Sequence, residues 1–134
     1  MRRTAGWWLG ILLALIVGAS AVDAHHSFFA EYDRNQPLTI EGVVSRVEWT
    51  NPHVRFFPDV TGRNGRVTIW ELSGAAAAML SRQGVTEATI KVGDAIRVDG
   101  FRALDGSPRA AAGAVTLPNR KRIFTGSLQE LTPI

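Results

Sequence analysis

The chain has 134 residues, with 15 basic and 12 acidic side chains and no cysteine. The missing thiols exclude disulfides, thiol nucleophiles and thiolate metal sites, so stability has to come from a packed core. Thirteen of the basic residues are arginine, scattered except for Arg2-Arg3 and Arg120-Lys121-Arg122. The balance is therefore only mildly positive and gives little case for a nucleic-acid partner.

Residues 1–24 read as a signal peptide. Arg2 and Arg3 form a basic start, the apolar run from Trp7 to Val17 follows, and small residues close the segment. That run is far shorter than the roughly 20 residues of a permanent membrane helix. The alternative is an uncleaved anchor, which would make the leader the chain's only membrane contact. Cleavage fits after Ala21 or after Ala24, and the two stay open. The reading places the protein in the periplasm or outside the cell. Residues 25–134 then form one domain, since 110 residues suffice for one core and not two.

Ser27 to Gln36 is a lead-in whose Phe28, Phe29 and Tyr32 pin it to the domain, with turn signals from Asp33 to Pro37. Leu38 to Trp49 is a long strand with a parity switch at Gly42, the mark of a bulge. Thr50-Asn51-Pro52 ends it. His53 to Val60 is a second strand, Gly62-Arg63-Asn64-Gly65 a hairpin turn, and Arg66 to Leu72 a third strand. Ser73 is the expected N-cap of a helix through Arg82, which Gly84 closes. Ala95 to Ala103 is a fourth strand, Asp105-Gly106-Ser107-Pro108 a turn, and Ala110 to Leu117 with Arg122 to Thr125 the remaining strand material. This order predicts a mainly β fold, a small five-stranded OB-type barrel with one short helix between strands three and four. An open sheet or sandwich with one covering helix is the alternative.

Three residue sets carry possible chemistry. Cleavage after Ala24 would give His25 a free amine beside its own imidazole and that of His26, and His53 is the natural remote nitrogen. Copper favours such nitrogen sets, with Glu31 or Asp33 as a nearby oxygen. The structural alternative is an exposed histidine pair, with His53 bonding a turn. Trp49, Arg55, Phe57 and Trp70 form the second set, an aromatic and arginine face for a peptide, an oligosaccharide or a partner protein of the cell envelope. Its alternative is that both tryptophans are core residues. An enzyme is not expected: there is no Gly-x-Ser-x-Gly elbow, phosphate-cradling loop or His-Glu-x-x-His helix.

His25-His26-Ser27-Phe28, Glu48-Trp49-Thr50-Asn51-Pro52-His53, Lys91-Val92-Gly93-Asp94 and Asp105-Gly106-Ser107 together resemble a family of small exported bacterial proteins of unknown function. The likeness spans residues 25–134. It implies an exported β-rich domain and brings no activity. Val22-Asp23 at the leader end, and Arg55 and Pro58 in the second strand, depart from that family's pattern.

Overall fold

The computed structural model describes residues 30–126. The chain divides into two compact units, Met1–Glu31 and Tyr32–Ile134. Of the first, only Ala30 and Glu31 are described, in helical conformation. The expected leader, His25 and His26 lie outside the described residues. No helix among the described residues is long and apolar enough to cross a membrane.

The second unit is mainly β. Its strands are β1 (Tyr32–Glu48), β2 (Arg55–Thr61), β3 (Val67–Ile69), β4 (Glu71–Ser73), β5 (Ala95–Ala103), β6 (Arg109–Thr116) and β7 (Arg122–Phe124), and α1 (Ala77–Arg82) lies between β4 and β5. Five strands close on themselves in the order β1-β5-β6-β4-β2 and back to β1. All these pairings are antiparallel except β4 with β6. β3 extends β2 as a hairpin, and β7 is added to β6 outside the ring.

β1 closes the ring because it serves two neighbours. Tyr32 to Val43 pairs with β5, and Val43 to Glu48 pairs with β2. Gly42 lies at this handover, where a Cβ would come 2.6 Å from the Asp59 carbonyl oxygen. The parity switch falls later than the sequence suggests. Leu38, Ile40 and Val44 keep one parity, and the register shifts between Val44 and Arg46. Ser45 is the extra residue, and its hydroxyl lies 2.9 Å from the Phe57 carbonyl and 2.8 Å from Asp59 Oδ1. A side-chain hydroxyl thus ties the bulge to the neighbouring strand.

The core fills the ring. Ile40, Val44, Phe56, Leu72, Val98 and Val115 meet there with Leu80 of α1. Alanine is a good helix former, yet the Ala-rich stretch of β6 is a strand. It sits between β4, β5 and β7, with Ala110 and Ala112 in the core and Ala111 and Ala114 buried as well. Small side chains fit a strand paired along both edges with nearly every residue buried, so packing overrides propensity.

Several boundaries differ from expectation. β1 starts at Tyr32, because the expected turn at Asp33 to Pro37 is an irregularity inside the strand. There Asp33 accepts hydrogen bonds from the Asn35 N–H and the Gln36 amide. The third strand is split at Trp70 into β3 and β4, and the last strand material forms two strands, β6 and β7, so the described residues hold seven strands in place of five. Ser73 is no N-cap: it is a buried residue of β4, paired with Ala111. The Ala77 and Ala78 N–H groups instead meet the Thr50 carbonyl (3.4 Å) and Asn51 Oδ1 (3.3 Å). The orphan donors of a helix start are met by a loop from elsewhere in the chain.

Candidate functional site

The β1–β2 connection, Trp49 to Val54, is fastened to the segment that leads from β4 into α1. Thr50 Oγ1 donates to the His53 carbonyl at 3.1 Å. The Val54 N–H donates to the Ala75 carbonyl, and the Gly74 N–H to the Val54 carbonyl. His53 Nδ1 lies 2.9 Å from the Gly74 carbonyl. A carbonyl only accepts, so Nδ1 carries the proton. His53 does not open the second strand, as the sequence suggested, but sits in the loop before Arg55. The Thr50-Asn51-Pro52-His53 string is thus a clamp on the start of α1, with its Asn51–Pro52 bond cis.

Among the described residues, no group of three or more His, Asp or Glu side chains lies close enough to hold a metal ion.

The expected aromatic and arginine face separates into two layers. Trp49 and Trp70 are half-buried and packed on the core, and the Arg102 guanidinium lies over the Trp70 ring at 5.6 Å. Phe57 faces away from the core but is buried, with the Arg46 guanidinium 3.7 Å from its ring centre. Arg55 is exposed and shared between Glu48 (3.2 Å) and Glu71 (3.8 Å), while Arg46 also reaches Glu48 at 3.3 Å. Arg55 and Phe57 share the outer surface of β2; the tryptophans do not join them. This face is filled by its own partners.

An open concavity lies elsewhere, on the outside of β1, β5, β6 and β7. It is a groove of about 520 Å³. Leu38, Phe101 and Phe124 give it apolar walls, and the buried Ala114 helps line it. Phe124 is 49% exposed. Beside these walls, Asp99 accepts from the Thr39 hydroxyl at 2.8 Å and pairs with Arg122 at 2.9 Å. Arg97, next to it, is held by Glu41 at 2.9 Å. Glu41, Arg97, Asp99 and Arg122 thus cancel in charge. Sequence reasoning missed this groove because its walls come from strands far apart in the chain. The one available signal was outward-facing Phe101 and Phe124 in β-strand segments.

At the turn between β5 and β6, the Ser107 hydroxyl and N–H and the Arg109 guanidinium all bond Asp105. These donors lower its carboxyl pKa to about 2. Exposed and self-satisfied, this cluster shapes the turn.

The comparisons agree with the resemblance read from the motifs as far as the family. No curated protein matches the sequence. The family model that does match is DUF6152, a family of unknown function, over residues 13–112. That is most of the chain, and the protein belongs to the DUF6152 family.

Proposed function

We propose that this protein is an exported binding module of the OB type that holds a neutral oligosaccharide of the cell envelope in the groove over β5 and β6. The OB reading rests on connectivity: a five-strand ring, a parallel β4–β6 closure, and a helix between β4 and β5. The ligand reading rests on the groove, where exposed Phe124 adjoins a row of mutually neutralised polar groups. Sugar rings present a flat C–H face to an aromatic ring and hydroxyls to the polar row. A phosphate chain would find no uncompensated cation there.

Soluble glycan strands of the cell wall are the probe, followed by backbone amide shifts. Shifts are expected at Leu38, Phe101 and Phe124, and Phe124→Ala is expected to weaken binding about tenfold or more, in the range of one lost stacking contact. Equal binding by Phe124→Ala, or shifts confined to other surfaces, would overturn the assignment.

A second reading is favoured by the tautomer of His53. Its Nδ1–H is spent on the Gly74 carbonyl, which directs the imidazole lone pair to Nε2. Metal-ligating histidines are commonly oriented in this way by a backbone carbonyl. In this reading, copper is bound by Nε2 of His53 together with nitrogens of His25 and His26 in the exported chain. Copper(II) titration of the purified protein is expected to lose at least tenfold in affinity in folded His53→Ala; an unchanged affinity would remove His53 as a ligand.

A further inference from the structure

We propose that the open edge of β3 pairs antiparallel with the same edge of a second copy of this chain, forming a two-fold dimer. The inference does not depend on the groove, whose walls include no residue of β3.

The β2–β3 hairpin decides which backbone groups are spent. The Gly62 N–H donates to the Arg66 carbonyl at 2.8 Å, and the Trp70 N–H to the Pro58 carbonyl at 3.0 Å, with Val60 opposite Thr68 between them. In an antiparallel ladder the hydrogen-bonded residues alternate. Arg66, Thr68 and Trp70 therefore bond toward β2, and the N–H and C=O groups of Val67 and Ile69 point the other way. Among the described residues β3 pairs with no strand except β2.

The same two residues leave their side chains in water, Val67 at 58% and Ile69 at 60% exposed. Val43, 49% exposed, continues the row through Asp59. Soluble proteins usually blunt such edges with an inward charge, a proline or a covering loop. Here Val-Thr-Ile is strongly strand-forming, and although the strand is only three residues long, no proline or charged side chain interrupts it.

Self-complementarity selects a second copy over a foreign peptide. A two-fold axis at Thr68 sets Val67 opposite the partner's Ile69, and Ile69 opposite the partner's Val67. Both pairs join open backbone groups to open backbone groups. Arg66 then meets the partner's Trp70 rather than another arginine. The antiparallel arrangement also points the two basic hairpin tips, with Arg63 at each, in opposite directions. Like charges stay apart while the exposed β-branched side chains meet in one strip.

The absence of cysteine makes the register testable. At the axis the Thr68 pair is of the close, non-hydrogen-bonded kind, with Cα atoms about 4.5 Å apart, within disulfide range. Mild oxidation of Thr68→Cys is expected to give a covalent dimer, at least tenfold more than Arg63→Cys at the tip. The cysteine-free protein is expected to sediment as a dimer, and Ile69→Lys as a folded monomer with an unchanged circular dichroism spectrum. Equal cross-linking of Thr68→Cys and Arg63→Cys, or association untouched by Ile69→Lys, would overturn the proposal.

Discussion

Gly100→Ala is expected to prevent folding, although it adds one methyl group. A Cβ at this position would fall on the Ala111 carbonyl oxygen, far inside the 3.0 Å that real Cβ atoms essentially never cross. The neighbour cannot yield cheaply. The oxygen belongs to the backbone of β6, and Ala111 is held between Phe101 of β5 and Ser73 of β4. The close approach arises from the register shift at Asp99/Gly100, where Asp99 faces Ala114 and Gly100 faces Ala112. Relieving the clash means opening the ring where β5 and β6 meet. A cost above about 4 kcal/mol follows, in the exceptional class for a single substitution.

Gly84→Ala is the control. It has a positive φ and nothing within 4 Å of a Cβ, so only the left-handed backbone is penalised, by about 1 kcal/mol. Urea titration by circular dichroism separates the two. A Gly100→Ala protein as stable as Gly84→Ala would mean that β5 and β6 are further apart than described.

The mainly β class, the helix position and the hairpin at Gly62 to Gly65 were legible because each rests on local signals: alternation, an alanine run and an Asn-Gly turn. What failed was set by partners distant in sequence. Nothing near Ser45 marks it as the bulge; its place follows from Phe57 and Asp59 across the strand. Ser73 looked like a cap, and tertiary pairing placed it in β4 while Asn51 took over part of that role. Trp70 looked like mid-strand material, yet it packs on the core under Arg102 and divides β3 from β4. A surface site depends on which strands adjoin, and residue types alone do not give that. Phe101 and Phe124 line an open groove, whereas Phe57 is covered by Arg46, and the arginines Arg55 and Arg122 are both paired with carboxylates.

Phe56→Ala and Phe124→Ala are expected to divide stability from binding. Phe56 is fully buried near the start of β2, between Val47 of β1 and Leu72 of β4. Its truncation loses apolar transfer energy and leaves a cavity that a closed ring of strands cannot collapse to fill, at about 3–5 kcal/mol. Small domains are stable by only about 5–15 kcal/mol, and no disulfide backs this core. The melting temperature should fall by tens of degrees, since about 1 kcal/mol corresponds to roughly 4–8 °C in a domain of this size. Phe124, half in water at the groove, should change stability by less than about 1 kcal/mol while weakening glycan binding about tenfold or more. The pair distinguishes a ring presented to a ligand from one that holds strands together. Comparable thermal losses in the two variants would make Phe124 a structural residue, and the groove would lose the aromatic wall on which its proposed function rests.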